Sequence, residues 1–127
     1  MFFSNDRVKF SKYAPDKTLS IHLQHDIAVV PSLASEGTSL SVAEAMATGC
    51  PVVATAVGGV TNMIISGYNG LLTMPNAASL IEGIEFLIQN PSTRRYIGMK
   101  AYETAKDAFS LERWEKSWQQ VLRSIAL

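Results

Sequence analysis

Three short apolar runs, IAVV (27–30), PVVATAV (51–57) and GLLTM (70–74), constrain the fold more than anything else in the chain. Each is continuous rather than alternating, which predicts strands covered on both faces, as in a parallel sheet. Each is closed by breakers: Pro31 after the first, Gly58 and Gly59 after the second, Pro75 after the third. A weaker run, Val8 to Phe10, offers a fourth and opening strand. Parallel strands need crossovers of a dozen or more residues, and helical patterns fill the gaps.

The helical signals are distinct. Asp16 is positioned to cap a helix reaching about Gln24, with Leu19 and Leu23 at helical spacing. Leu40, Ala43, Ala45 and Met46 begin a second helix that Gly49 ends at a left-handed cap. The pair at 58 and 59 predicts a flexible turn into a short helix around Asn62 to Ser66. From Asn76 onward the pattern is helical: Leu80, Ile81, Ile84, Leu87 and Ile88 form one stripe, and Ile97, Ala101, Ala105 and Ala108 a second after NPSTRR. A last amphipathic helix spans 110–126, capped by Ser110, with Leu111, Trp114, Trp118, Val121, Leu122 and Ile125 on one face. The expected architecture is therefore α/β: a partial Rossmann-like parallel sheet of about four strands flanked by helices, with C-terminal helices. The whole chain, 1–127, reads as one partial domain, the second half of an α/β unit.

Composition narrows the functional classes. Eleven basic residues balance eleven acidic ones, so the electrostatic footprint of a nucleic-acid binder is missing. Charged residues are 17% of the chain against about 25% in ordinary soluble domains, which points to surface that a partner covers. The single cysteine, Cys50, reads as a buried structural thiol and fits a cytoplasmic setting. The apolar pair at the N-terminus is shorter than a signal-peptide core of about 7–15 residues.

The stretch ASEGTSLSVAEAMATG (34–49) places Glu36 in a loop of small residues and Glu44 inside the following helix. Ligands of open parallel sheets sit beyond the carboxyl ends of the strands, where helix N-termini present free amides. The loop from Ser32 to Ser39 follows such a strand, and the amides of Thr38, Ser39 and Leu40 make an anion cradle. Acids on both sides of a cradle suit a diphosphate with a sugar at each end, since carboxylates accept hydrogen bonds from hydroxyls. The plain alternative stays open on spacing alone: Glu44 as an exposed helical acid, and Glu36 as a loop acid favoured by the helix dipole.

A run of ordered tags adds to this: PS after an apolar strand, then SEG, EAMATG, PVVAT, VGG and NGLL, continuing into NPSTRRYIGMKA and a final helix. Over about residues 26–125 the chain resembles the donor-binding, C-terminal half of a GT-B-fold glycosyltransferase of family four (glycosyl transferases group 1). That resemblance implies a retaining hexosyl transfer from a nucleotide-diphospho-sugar, such as a UDP- or GDP-hexose, in polysaccharide or glycoconjugate synthesis. It implies Glu36 as the catalytic-site acid holding hydroxyls of the transferred sugar and Glu44 as the holder of the ribose hydroxyls. Gly37, Thr38, Ser39 and Leu40 would meet the distal phosphate and sugar with their amides. No cofactor and no metal are expected, because helix dipoles and basic side chains stabilise the leaving group.

The resemblance also implies an N-terminal domain that binds the sugar or glycolipid acceptor, basic phosphate-binding residues upstream, and a complete enzyme peripheral at the membrane. This chain alone is expected to be inactive, with its last helix free for homo-oligomer formation. Gly37, Thr38 and Ser39 stand where many members have Gly-Phe-Gly, and Asn62 where a glutamate is frequent. Two readings compete: a non-catalytic nucleotide-sugar-binding or self-association module, and a portion of a GT-B-fold epimerase or phosphorylase. Other features carry less. His22 and His25 have a metal-capable spacing but no third ligand, so they read as a solvated helix face. TRRY (93–96) reads as a basic surface feature, and Ser32, Ser35 and Ser39 have no His and Asp arrangement for a triad.

Overall fold

The computed structural model describes residues 6–126, so the apolar pair at positions 2 and 3 lies outside the described residues. In order, a 3₁₀ turn, Pro15–Lys17, leads into α1, Thr18–His22; then come β1, Ala28–Val30, and α2, Leu40–Ala47. β2, Val52–Thr55, a 3₁₀ turn, Gly58–Asn62, and β3, Leu71–Thr73, follow; α3, Ala77–Gln89, α4, Pro91–Ala108, and α5, Leu111–Ile125, complete the chain. The sheet is parallel throughout in the order β1-β2-β3.

β2 sits at the centre with all four residues buried. Its side chains alternate as a strand requires. Val52 and Ala54 enter one core with Val42, Ala45 and Met46 of α2, Val60, Met63 and Ile64 of the following turn, and Ala101 and Ala105 of α4. Val53 enters the other with Leu87 and Ile97, and with Leu71, Leu80 and Ile84 against them. Because both faces are apolar, the strand reads as an unbroken run. β1 is covered less completely: Val29, in register with Val53, remains 41% exposed. α3 packs on β2 and β3 and leaves that part of the β1 face open.

Local chemistry sets the helix ends. Ser39, Asn76 and Ser110 each adopt an extended N-cap conformation and accept a hydrogen bond from the amide three residues on. Gly49, with φ of 73°, makes the expected left-handed exit from α2. α2 and α4 meet through small residues, and the closest approach is at Gly98, where an added Cβ would stand 2.4 Å from the Gly49 carbonyl oxygen. Alanines at 45, 101 and 105 line the same seam, all buried.

Several expectations are corrected. Val8 to Phe10 is not a strand: these residues are exposed and lie outside the sheet, which has three strands among the described residues rather than the four expected. Asp16 does not cap the first helix. Pro15 opens a 3₁₀ turn there and Ala14 is the flanking residue, so Asp16 falls inside the turn and the helix stops at His22. The short helix after β2 is a 3₁₀ turn that begins at Gly58 itself, so the two glycines belong to it. Ile81, Ile88 and Ala108 lie on exposed sides of their helices, and the inward stripes are Leu80, Ile84 and Leu87, then Ile97, Ala101 and Ala105.

Replacing glycine by alanine inside a solvent-exposed helix stabilises it by about 1 kcal/mol. At Gly98 the sign reverses, because the new methyl has backbone in its way. Gly98→Ala is expected to lower stability by about 1–3 kcal/mol in urea unfolding, and an unchanged or raised midpoint would contradict the α2–α4 seam.

Candidate functional site

β1 and β2 run parallel, so the chain leaves both at the same end of the sheet. The segment after β1 carries Glu36; the segment after β2 carries Gly58 and Gly59. These two segments seat backbone on backbone. The Gly59 amide donates to the Glu36 carbonyl at 2.8 Å. A Cβ on Gly58 would stand 1.9 Å from the same oxygen, and one on Gly59 2.5 Å from the Gly37 carbonyl oxygen. No residue with a side chain fits at either position without displacing the Glu36 loop. The glycine pair, a flexible turn and part of the VGG tag in the sequence, is therefore the platform of the Glu36 loop.

Two hydroxyl groups complete the support. Thr55, at the end of β2, is buried, and its Oγ1 donates to the Ser32 carbonyl. Ser32 Oγ donates to Glu36 Oε2 at 2.6 Å, orienting a half-buried carboxylate. Ser35 takes a left-handed conformation, with φ of 56°, to turn the chain toward Glu36. Such a φ is uncommon outside glycine and concentrates at functional loops. Neither Ser32 nor Thr55 stands out in the sequence as more than a strand-end hydroxyl.

Beyond Glu36 the residues are small and open. Gly37 and Thr38 are exposed, and Leu40 is 74% exposed. Ser39 is different: it is buried, and its Oγ accepts from the Val42 amide at 3.4 Å, so its side chain serves as the helix cap. The amides from Thr38 to Ser41 have no acceptor among the described residues, as expected for the first turn of a helix. This N-terminus carries partial positive charge facing solvent beside Glu36.

Glu44 lies four residues after Leu40 and so on nearly the same flank of α2, about 6 Å further along the axis. It is half-buried and lines a cavity of about 340 Å³ with Leu19 of α1 and Tyr102 and Lys106 of α4. None of residues 36 to 40 lines that cavity. The charge of Glu44 is felt by His22: burial pushes the His22 imidazole down, and the Glu44 carboxylate partly offsets this. Asn62 is exposed at the end of the 3₁₀ turn.

Comparisons agree with this geometry. The family described as "Glycosyl transferases group 1" matches residues 3–104. An uncharacterized glycosyltransferase of Methanocaldococcus jannaschii is 41% identical over 102 residues, 80% of this chain and 28% of the relative. The crystal structure of Anabaena HepE in complex with UDP-glucose superimposes with a TM-score of 0.84 and 27% identity, covering 94% of this chain and 33% of that one. The C-terminal domain of a glycosyl transferase group 1 family protein (LpcC) from Francisella tularensis gives a TM-score of 0.71 and 28% identity over 82% of this chain and 53% of that one. The chain spans less than a third of the length of the curated relatives it matches. With the parallel sheet, the loop after β1 and these matches together, the chain belongs to the glycosyl transferases group 1 family, with the fold of a GT-B C-terminal domain.

Proposed function

We propose that this chain is the donor-binding portion of a retaining glycosyltransferase that uses a nucleotide-diphospho-sugar. One observation carries the reading: the open amides of α2 stand next to a carboxylate oriented by Ser32, on a loop seated against Gly58 and Gly59. The donor's diphosphate would meet the amides of Gly37 to Leu40 and the positive end of α2. Glu36, the catalytic-site acid, would hold hydroxyls of the transferred sugar, and Glu44 those of the ribose. Charge developing on the departing diphosphate would be stabilised by the helix end, without a metal, and the acceptor would attack the same face that the diphosphate leaves. UDP is the favoured nucleotide, since the Anabaena protein binds UDP-glucose. The acceptor, a sugar or glycolipid, would be held by another domain of a longer enzyme acting in polysaccharide or glycoconjugate synthesis.

Ligand-observed NMR with UDP, GDP and ADP and their hexose conjugates tests this on the chain and on Glu44→Ala. Signals from the UDP set that disappear in the variant are expected. Equal binding by the folded variant would sink the role given to Glu44. Gly59→Ala provides an independent check on the platform. It is expected to shift the amide resonances of Glu36 and Gly37 and to weaken UDP binding about tenfold, a loss of about 1.4 kcal/mol, while a folded variant that binds as the parent does would contradict it.

A second reading, self-association, is favoured by α5. Every residue from Leu111 to Ile125 is exposed, including Trp114, Trp118 and Leu122 on its apolar face. Exposed apolar stripes of this kind mark contact surfaces. Light scattering should give a mass that rises with concentration in the parent chain and stays at one chain in Trp118→Glu; a single-chain mass for the parent at high concentration would remove this reading.

A further inference from the structure

Two features that look unremarkable in the sequence, the His22 and His25 pair and the Arg94 and Arg95 pair, meet in three dimensions. With Asp26 and Thr48 they line one cavity of about 440 Å³, within the range of about 300–1,000 Å³ typical of small-molecule sites. It opens between the end of α1, the turn after α2 and the beginning of α4. Asp26 precedes β1, and Cys50 and Pro51, also in the lining, precede β2, so the cavity lies at the end of the sheet opposite the Glu36 loop. A ligand here would not occupy the α2 N-terminus.

The lining chemistry is selective. Two guanidinium groups supply planar forks suited to phosphate oxygens. Arg94 Nη1 donates to the Leu87 carbonyl at 3.2 Å, which anchors the side chain across the α3–α4 junction. Arg95 is exposed and without such an anchor. His25 Nδ1 lies 2.7 Å from the Ile21 carbonyl oxygen, so that nitrogen carries the hydrogen and donates. Asp26 opposes a bare anion but accepts hydrogen bonds from hydroxyl groups. Such a combination would favour a phosphate that carries a hydroxylated body over phosphate itself.

We infer that this cavity binds a small phosphate monoester bearing hydroxyl groups, with Arg94 and Arg95 on the phosphate and Asp26 on the hydroxyls. The inference is independent of the donor reading, because the two sites lie at opposite ends of the strands.

The test is a ¹H–¹⁵N NMR titration of the 127-residue chain with glycerol 3-phosphate, with inorganic phosphate, and with sodium chloride at matched ionic strength. Glycerol 3-phosphate is expected to give saturable shifts at the amides of Thr48, Gly49, Cys50 and Arg95, to bind more tightly than inorganic phosphate, and to be unaffected by added UDP. Arg95→Gln, on an exposed position that leaves the Arg94 anchor intact, should weaken binding about tenfold. Asp26→Asn should abolish the advantage of the ester over inorganic phosphate. Absence of saturable shifts, shifts reproduced by chloride, or shifts unchanged in a folded Arg95→Gln would overturn the inference. Equal binding of the ester and of inorganic phosphate would overturn the role of the hydroxyl groups.

Discussion

Enclosure of β2 is the constraint on which the rest of the structure depends. Val52, Val53 and Ala54 are fully buried, and each face of the strand is met by a different set of helical side chains. A strand with no polar face cannot tolerate a solvent side, so α2 and the Ala101 and Ala105 side of α4 close one surface while α3 and Ile97 of α4 close the other. Burying a valine stabilises the fold by about 1.5–3 kcal/mol, so Val52 and Val53 alone contribute an amount comparable with much of a small domain's net stability. Its last residue, Thr55, then hands the core over to the site. It is buried like its neighbours, but its hydroxyl donates to Ser32 on the next segment.

The Glu36 loop follows from that arrangement. Since β1 and β2 are parallel neighbours, their outgoing segments must pass close to each other, and the glycine pair allows backbone to touch backbone. The loop is held by the Gly59 amide, by Ser32 and by the left-handed turn at Ser35, none of which fills the space above α2. Amides remain free there because α2 starts in that space with a side-chain cap, Ser39, that satisfies only the Val42 amide. In the proposed donor site the helix end itself would hold the anion, leaving side-chain positions on either side to read what the anion carries.

Much of this was legible in the sequence, and for identifiable reasons. The three apolar runs became β1, β2 and β3, and the Ser110 cap marks a helix start because a cap is a local hydrogen bond, whereas Asp16 lost that role to the turn opened by Pro15. The candidate loop from Glu36 to Leu40 was legible for the same reason: small residues, then a helix start, after a strand. What was illegible depends on distant partners. Val8 to Phe10 has the composition of a strand, but a strand exists only as part of a sheet, and the β1-β2-β3 sheet does not include it. The seat at Gly58 and Gly59 is invisible without knowing that Glu36 and Gly37 lie on it. The Thr55 to Ser32 hydrogen bond joins residues 23 positions apart. Glu44 was found as a helical acid, but its turn toward α1 and His22 is a property of packing.

The contrast between α3 and α5 shows the same limit in another form. Both have strong apolar stripes and side-chain caps, so local chemistry favours both helices to a similar degree. In α3 the stripe meets Val53 and Leu71 and becomes core; in α5 Trp114 and Trp118 meet each other, with ring centroids 6.1 Å apart, and remain half exposed. Periodicity therefore specifies a helix and the face that needs cover, while the cover itself is set by what the fold brings opposite. For α3 that is the sheet. For α5 no residue of the helix is buried by the described part of the chain, and the low charged fraction of the sequence is explained in part by a face whose burial requires contact with another surface.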